Sequence, residues 1–213
     1  TISFSTLINE TTWSNSINMG ALINTKYWES QPSISADGNL LFFSSNRYGG
    51  YGGADIWLSR KINNLWSEPV NVGPKINTPG DEYTPFLHYD NKTFYFASKG
   101  HKGLGGFDLY VAHIDSVGGI HDITNLGYPI NSHYDESGLI VSKDGLTAYY
   151  NTNKNKNLDI YSFELPLEFQ SNRVATINGQ VIDSISRFGI ETEILISKAN
   201  HNKSFSIKSS PQG

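Results

Sequence analysis

Residues 44–59 read SSNRYGGYGGADIWLS, and residues 97–112 read ASKGHKGLGGFDLYVA. The two stretches start 53 residues apart and place glycines, an aspartate and an apolar–aromatic pair at the same positions. Gly52 and Gly53 correspond to Gly105 and Gly106, and Asp55 corresponds to Asp108. A fixed period of about 50 residues indicates a β-propeller or a similar array rather than one isolated glycine-rich site.

A third copy follows. Glu29 corresponds to Glu82 and then to Glu136, which lies 54 residues further on. The loop of the third copy is three residues shorter, so Asp159 follows Asp108 by only 51 residues. The chain therefore holds three units of nearly constant length.

Each unit contains the pieces of a four-stranded antiparallel meander, which is the blade of a propeller. First strands read QPSIS, TPFLHY and SGLIVS, and second strands read LLFFSS, TFYFAS and TAYYNT. Third strands read DIWLSRK, DLYVAHI and DIYSFEL, and the weaker fourth strands read NSINMG, EPVNVG and DITNLG. Asp-Gly or Asp-Asn pairs between the first and second strands suit tight hairpin turns. The predicted fold is all-β: propeller blades in an incomplete ring, followed by a partial β-sandwich.

The predicted organisation has three parts. Residues 1–165 form about three blades plus the end of a preceding one, residues 2–20. Three blades are too few to close a ring, so either further blades are expected upstream or these blades pack on another chain. Residues 166–173 form a linker containing Pro166. Residues 174–213 begin a β-sandwich that is truncated, because about 40 residues are fewer than the roughly 100 of a complete sandwich. Its strands are predicted from apolar and β-branched alternation around Val174, Thr176, Gly179, Val181, Thr192, Ile194 and Ile196.

Composition excludes several functions. The chain has 213 residues, a net charge of −4 and no cysteine. Without cysteine there are neither disulfides nor thiolate metal sites, and without a basic stripe nucleic acid is not an expected partner. The sequence has no apolar run long enough for a transmembrane segment.

The glycine stretch does not predict a nucleotide site. A dinucleotide fingerprint opens a helix, whereas this loop opens a strand, and a P-loop requires Gly-Lys-Ser/Thr where this chain has Gly53-Ala54-Asp55. We interpret the glycines as permitting positive φ and close backbone approach.

The repeated carboxylates, present once per blade, are interpreted as structural, together with the glycines that accompany them. Calcium remains the functional alternative, because oxygen-rich loops suit it. No cofactor and no metal are predicted, and neither a zinc-type histidine pair nor a G-x-S-x-G motif occurs. The residues assigned to blade structure are Glu29, Glu82, Glu136, Asp55, Asp108, Asp159, Gly52, Gly53, Gly105 and Gly106.

A binding face is predicted where the loops between second and third strands meet the turns that lead into first strands. Unrepeated aromatic and cationic residues on such loops favour binding of a peptide or protein. The candidate partner-binding residues are Arg47, Tyr48, Tyr51, Lys99, His101, Lys102, Tyr83 and Tyr134.

The motifs resemble a known family. The G-G-x-D-[IL]-[WY] repeat is similar to the TolB-like, WD40-like propeller repeat. The connection LWSEPVNVGPKINTPGDEYTPF, residues 65–86, resembles propellers of OmpA-family, PorE-type envelope proteins of Bacteroidetes-type bacteria, which are associated with type IX secretion. INGQVID, residues 177–183, resembles the start of a carboxypeptidase-regulatory-like domain. The family's OmpA-like domain, which binds peptidoglycan, has no counterpart in this sequence.

The resemblance implies a non-catalytic scaffold in the periplasm, associated with the outer membrane. Its expected partners are proteins or peptides of the cell envelope, and peptidoglycan only through a domain absent from this sequence. One alternative is a carbohydrate-active propeller enzyme, for which Asp81 is the candidate carboxylate. Another is the propeller cap of a serine peptidase.

Overall fold

The computed structural model describes residues 1–9, 11–115, 119–175, 179–197 and 204–210. The chain divides into two compact units, Thr1–Val174 and Ala175–Gly213. Thr176 and the start of INGQVID at residues 177–178 lie outside the described residues, so the sandwich prediction is not tested there.

The first unit is built from antiparallel sheets that follow the sequence repeat. Blade 1 contains β5 (Glu29–Ile34), β6 (Leu40–Ser45), β7 (Asp55–Ile62), β8 (Leu65–Trp66) and β9 (Val70–Asn71). Blade 2 contains β10 (Glu82–Leu87), β11 (Thr93–Ser98), β12 (Asp108–Ile114) and β13 (Ile120–Asn125). Blade 3 contains β14 (Glu136–Val141), β15 (Thr147–Thr152) and β16 (Asp159–Glu164). The prediction of an all-β fold made of antiparallel blades is confirmed.

Four short strands precede blade 1: β1 (Ser3–Phe4), β2 (Leu7–Asn9), β3 (Thr12–Trp13) and β4 (Ile17–Asn18). β1 pairs with β4 and β2 pairs with β3, both antiparallel. This is the arrangement in which β7 pairs with β9 and β8 in blade 1. The N-terminal residues therefore form the third and fourth strands of a blade.

The core lies between blades, because the second and third strands of blades 1 and 2 are apolar on both faces. One buried cluster joins blade 1 to blade 2 through Phe42, Ile56 and Phe94. A second joins blade 2 to blade 3 through Tyr95, Leu109 and Leu139. Apolar side chains from both partners fill each gap, so the blades stabilise one another through burial of apolar surface.

The glycine loops, residues 46–54 and 99–107, lie against the next blade. Each contacts the turn that leads into the next first strand. We call residues 77–81 and 131–135, together with the equivalent residues 24–28 before β5, the leading turns. Gly53 donates its N–H to the Gly80 carbonyl (2.9 Å), and Glu82 donates its N–H to the Ala54 carbonyl (2.7 Å). A Cβ on Gly52 would overlap the carbonyl oxygens of Thr78 and Gly80.

The close approach of two backbones, rather than a positive φ, explains why glycine occupies most of these positions. Gly49 has a φ of 93°, whereas Gly52, Gly53, Gly105 and Gly106 are not among the residues with positive φ. Gly105 meets the carbonyls of the following leading turn just as Gly52 does. The glycines are therefore required because the backbones of two blades touch.

Two of the three repeated aspartates, Asp55 and Asp108, hold the glycine loops of blades 1 and 2 in shape. The third, Asp159, makes no such bonds among the described residues, because the loop of blade 3, residues 153–157, is shorter and has no glycine. The Asp55 carboxylate accepts hydrogen bonds from the N–H groups of Tyr51 (2.5 Å) and Gly52 (3.2 Å). In blade 2 the Asp108 carboxylate accepts bonds from the N–H groups of Leu104 (3.0 Å) and Gly105 (3.1 Å). The carboxylates thus satisfy loop donors that no strand pairs.

Each repeated glutamate holds the leading turn of its own blade. Glu82 is buried, accepts the Thr78 N–H (2.8 Å) and Oγ1–H (2.6 Å), and accepts the Ser98 Oγ–H (2.7 Å). Glu136 accepts the N–H (3.1 Å) and Oγ–H (2.6 Å) of Ser132 in the same way. Burial raises the pKa of Glu82, and the hydrogen bonds from Thr78 and Ser98 oppose that rise.

The first strands share one irregularity. β5, β10 and β14 each contain a β-bulge. Gln31 (φ 54°), Thr84 (φ 50°) and Gly138 (φ 66°) occupy the left-handed region there. The Thr84 N–H bonds Gln31 Oε1 (3.1 Å), and the Gly138 N–H bonds Thr84 Oγ1 (3.1 Å). These side chains replace the ladder bonds that the bulge removes.

Residues 166–173, assigned to a linker by sequence, pack onto the first unit. A short 3-10 helix, Leu167–Phe169, follows β16. The buried Tyr95 hydroxyl donates to the Phe169 carbonyl (2.7 Å). Asp90 Oδ2 accepts bonds from the N–H (3.0 Å) and Nδ2 (3.3 Å) of Asn172.

The second unit contains β17 (Glu193–Ser197) and β18 (Ser204–Lys208), which pair antiparallel. An isolated bridge joins Ile182 to Gly189. Of the strands expected here, the one around Ile194 and Ile196 is present as β17. The assignment of residues 174–213 to the truncated start of a sandwich stays a prediction.

We expect Gly52→Ala to destabilise the protein by about 1–3 kcal/mol, because its Cβ would force apart two packed backbones. Gly179→Ala is the matched control, since a Cβ there meets no atom within 4 Å. Urea unfolding followed by circular dichroism measures both free energies of unfolding. Equal stability of the two variants would contradict the close-approach explanation.

The lowered pKa of Asp90 predicts that the free energy of unfolding depends on pH. Hydrogen bonds from His88, Thr93, Lys92 and Asn172 outweigh burial and lower the pKa of Asp90 far below its ordinary value. A carboxylate with a lowered folded pKa contributes stability above its unfolded pKa of about 3.9 and loses that contribution as the pH falls.

Asp90→Asn is therefore expected to lower the free energy of unfolding by about 1–3 kcal/mol at neutral pH. The difference from the unsubstituted protein should shrink as the pH falls below about 4. Urea unfolding at several pH values measures it, with the exposed Glu168→Gln as control. A difference that is independent of pH would contradict this role of Asp90.

Candidate functional site

An aromatic row lies where the glycine loops meet the first strands. Trp28 immediately precedes β5, Tyr83 is the second residue of β10, and Phe107 immediately precedes β12. The ring centroids of Trp28 and Tyr83 are 5.5 Å apart at a tilt of 56°. Those of Tyr83 and Phe107 are 4.9 Å apart and stacked. We call these three residues the aromatic row.

The aromatic row is exposed to solvent at Trp28 and has a charged neighbour beside Phe107. Trp28 is 41% exposed, whereas Tyr83 and Phe107 are half-buried. Lys99 Nζ lies 5.9 Å from the centroid of the Phe107 ring, within reach of a cation–π contact. The row therefore presents aromatic surface beside a cation on a rigid backbone.

A shallow pocket of about 390 Å³ adjoins the row and is lined by Trp28, Asn46, Gly53, Ala54, Asp81 and Tyr83. Asp81 Oδ1 accepts the N–H of Ala54 (2.9 Å). Burial raises the pKa of Tyr83, and the Asp81 charge raises it further. Tyr83 therefore stays a neutral phenol at physiological pH and can act as a hydrogen-bond donor.

Asp81 is not unique to one blade. Its equivalent Asp135 accepts the N–H of Phe107 through Oδ1 (2.9 Å), just as Asp81 does from Ala54. Asp135 Oδ2 also accepts a bond from Asn153 Nδ2 (2.8 Å). The carboxylate on which the carbohydrate-enzyme alternative depends is thus part of a repeated contact between blades.

Arg47, predicted to face a partner, turns toward its own blade. Its Nη2 donates to the Ile23 carbonyl (2.6 Å) and lies 3.4 Å from Glu29 Oε1. Its guanidinium carbon lies 4.8 Å from the Phe43 ring centroid and 5.4 Å from that of Trp57. Burial lowers the pKa of Arg47, and the Glu29 charge opposes that change.

His101, another of the candidate partner-binding residues, plays the equivalent part in blade 2. Its Nε2 donates to the carbonyl of Ile76 (2.8 Å), the residue that corresponds to Ile23. Its ring packs on Phe96 and Tyr110, at centroid distances of 5.8 and 5.2 Å. Arg47 and His101 thus bond equivalent backbone carbonyls, those of Ile23 and Ile76, in successive blades.

The remaining candidate partner-binding residues differ in solvent exposure. Tyr48 is 90% exposed and Tyr51 is 51% exposed, and Lys102 is exposed as well. Tyr134 is half-buried, and its ring centroid lies 3.9 Å from that of His133 at a tilt of 37°. Its carbonyl accepts the Gly106 N–H (3.2 Å). Of the eight candidates, the structure brings Tyr83 and Lys99 together, through Phe107.

Sequence reasoning left Trp28 and Phe107 out of the candidate set. Phe107 aligns with Ala54, and Trp28 aligns with Asp81, so neither is repeated. Unrepeated aromatic residues beside a repeated glycine or glutamate were the signal that could have identified them. Within the ranges that the structure describes, no three His, Asp or Glu side chains group as a metal site.

No family model matches this chain, and no curated protein matches it. Among solved structures it is similar to TolB from Acinetobacter baumannii, with 11% identity and a TM-score of 0.48 over 89% of this chain and 43% of that one. It is similar to an α-L-arabinofuranosidase from Lactobacillus brevis, with 18% identity and a TM-score of 0.44 over 71% and 53%. A TolB from Agrobacterium tumefaciens shows 17% identity and a TM-score of 0.37 over 85% and 74%. The chain thus spans about half or less of the first two structures.

We expect Arg47→Ala to lower the free energy of unfolding by about 1.5–3 kcal/mol, because it removes charged hydrogen bonds and leaves the buried Glu29 without its cation. Tyr48→Ala, one residue away and exposed, should change it by no more than about 0.5 kcal/mol. Chemical denaturation measures both. If Arg47→Ala were as mild as Tyr48→Ala, Arg47 would be available to a partner instead.

Proposed function

We propose that the chain is a non-catalytic binding and scaffold module that recognises a protein or peptide through the aromatic row. The observation that carries this proposal is the packing of Trp28, Tyr83 and Phe107 into one partly exposed row beside Lys99. Aromatic side chains held on a rigid framework lose little conformational entropy on binding and dominate protein interfaces.

The repeated polar groups support a binding role over catalysis. Glu29, Glu82 and Glu136 bond their own leading turns, and Asp81 and Asp135 bond the preceding blade. A catalytic acid–base pair needs two carboxylates whose environments push their pKa values apart. Here equivalent carboxylates share equivalent partners, as structural groups do.

The proposed setting is the periplasm, in association with the outer membrane, as part of cell-envelope anchoring or type IX secretion. This part rests on the resemblance of residues 65–86 and 177–183 to OmpA-family envelope proteins. Among the described residues there is no helix with the length and apolarity needed to cross a membrane.

A random-peptide display library, selected on the immobilised chain, tests the aromatic row. We expect enriched peptides, prepared synthetically, to bind the unsubstituted chain and to bind Tyr83→Ala about tenfold or more weakly. Tyr83→Phe keeps the ring and should retain most of the affinity. Fluorescence anisotropy measures the dissociation constants, and thermal unfolding checks that each variant is folded.

Tyr48→Ala is the matched control, because it removes an exposed tyrosine outside the row. If the selected peptides lose affinity with Tyr48→Ala and not with Tyr83→Ala, the binding surface is the loop tip instead. Hydrolysis of a glycoside that is abolished by Asp81→Asn would replace the binding proposal with the carbohydrate-enzyme alternative.

A further inference from the structure

One side-chain pair takes a different form in each of the three blades. It joins the last residue of the leading turn to the residue that follows the second strand. In blade 3 these residues are Asp135 and Asn153. The Asp135 N–H donates to Asn153 Oδ1 (3.1 Å), and Asn153 Nδ2 donates to Asp135 Oδ2 (2.8 Å). The carboxylate and the amide of blade 3 therefore satisfy each other.

Blade 1 keeps only the asparagine of this pair. Trp28 occupies the aspartate position, and its N–H donates to Asn46 Oδ1 (2.9 Å). An asparagine amide nitrogen carries two donor hydrogens. With no carboxylate at position 28, Asn46 Nδ2 donates to no other group in the described ranges. Blade 1 therefore has an unused amide donor.

Blade 2 keeps only the aspartate. Lys99 occupies the asparagine position, and its Nζ lies beside the Phe107 ring, 5.9 Å from the centroid. Asp81 Oδ1 accepts the Ala54 N–H (2.9 Å). Among the residues that the structure describes, none donates a hydrogen bond to Asp81 Oδ2 and none forms an ion pair with this carboxylate. Blade 2 therefore has an unused, negatively charged acceptor.

The unused donor and the unused acceptor line the same pocket. Asn46 and Asp81 both contribute to the pocket of about 390 Å³ beside the aromatic row, and Trp28 and Tyr83 supply its aromatic walls. Its described lining includes neither Lys99 nor any other cation. The pocket thus combines a carboxylate oxygen, an amide N–H and aromatic surface.

These groups define the ligand that fits. A carboxylate only accepts hydrogen bonds, and it bonds charged donors most strongly. Aromatic walls favour a cation as well. The amide N–H of Asn46 needs an acceptor, which a peptide carbonyl provides. A peptide ammonium with a carbonyl nearby supplies both partners, whether the ammonium belongs to the amino terminus or to a lysine side chain.

We propose that this pocket binds an ammonium group of the partner peptide at Asp81 Oδ2, while Asn46 Nδ2 donates to a neighbouring peptide carbonyl. This inference rests on the proposed function, since the same peptide covers the aromatic row. It adds the charge that the peptide must carry and the blade position that recognises it.

Synthetic forms of the peptides enriched on the immobilised chain test the inference. Each is labelled with fluorescein at its carboxyl terminus and prepared with a free or an acetylated amino terminus, and with lysine or the uncharged norleucine. Removing the ammonium that enters the pocket should weaken binding about tenfold, as measured by fluorescence anisotropy. Loss of affinity on acetylation identifies the amino terminus as its source, and loss with norleucine identifies a lysine.

Asp81→Asn completes a double-mutant cycle with these peptides. It keeps the Oδ1 acceptor for Ala54 and replaces only the unused carboxylate oxygen with an amide nitrogen. The variant should bind the ammonium-bearing peptide about tenfold more weakly, and removing the ammonium should then cause no further loss. Glu168→Gln removes one exposed carboxylate elsewhere and should leave the dissociation constant unchanged.

Unfolding without peptide separates a partner's ammonium from a cation of this chain. If the chain filled the pocket with its own cation, Asp81→Asn would lower the urea midpoint, and the shift would shrink in about 1 M NaCl. We expect the midpoint of Asp81→Asn to match that of the unsubstituted chain at both salt concentrations. A salt-dependent loss of stability would assign the pocket to this chain and overturn the proposal.

The peptide measurements also separate this inference from the proposed function. Peptides that depend on Tyr83 but respond neither to loss of their ammonium groups nor to Asp81→Asn would overturn the inference and leave the aromatic row as the binding surface. An ammonium effect of equal size in Asp81→Asn would place the cation elsewhere and overturn it too. If the selection yields no peptide that depends on Tyr83, both proposals fail.

Discussion

The structure depends on the contact between each glycine loop and the leading turn of the next blade. There the two backbones approach so closely that neither Gly52 nor Gly105 can carry a side chain. Reciprocal main-chain bonds, such as Gly53 to Gly80 and Glu82 to Ala54, then fix one blade against the next. The apolar clusters between blades supply most of the stabilisation, but they are not directional. The backbone contact determines the register in which the clusters pack.

The leading turn of blade 2, residues 77–81, is bonded both by its own blade and by blade 1. Glu82 binds it from within its own blade, and the glycine loop binds it from the preceding blade. Because the main chain completes this joint, a residue beside it such as Tyr83, whose counterparts are Ser30 and Ser137, is free to differ between blades. Under the proposed binding role, differences between blades at such positions determine which partner is recognised, whereas the shared residues determine the fold.

The period predicted the blades and their strands, because those features recur. It could not predict the aromatic row, since Trp28 and Phe107 come from different blades and meet only after folding. Nor could it show that Arg47 and His101 turn inward. In the alignment Arg47 lies opposite Gly100, one position before His101, so their shared role at Ile23 and Ile76 is visible only in space. The sequence alone therefore predicts that Arg47 and His101 are exposed, because it does not identify the carbonyl groups that they bond.

Blade 3 differs from blades 1 and 2 in the residues with which those blades contact the next blade. Its loop, residues 153–157, is shorter and has no glycine pair to contact another leading turn. Ser162 replaces Leu58 and Val111, which are buried between the other blades, and Ile160 is 79% exposed where Ile56 and Leu109 are fully buried. The far side of blade 3 has therefore lost both the backbone contact and part of the apolar surface that join one blade to the next. What remains is Ile160, which keeps the apolar character of Ile56 and Leu109, so part of the apolar surface that packs between the other blades persists on the outer face of blade 3.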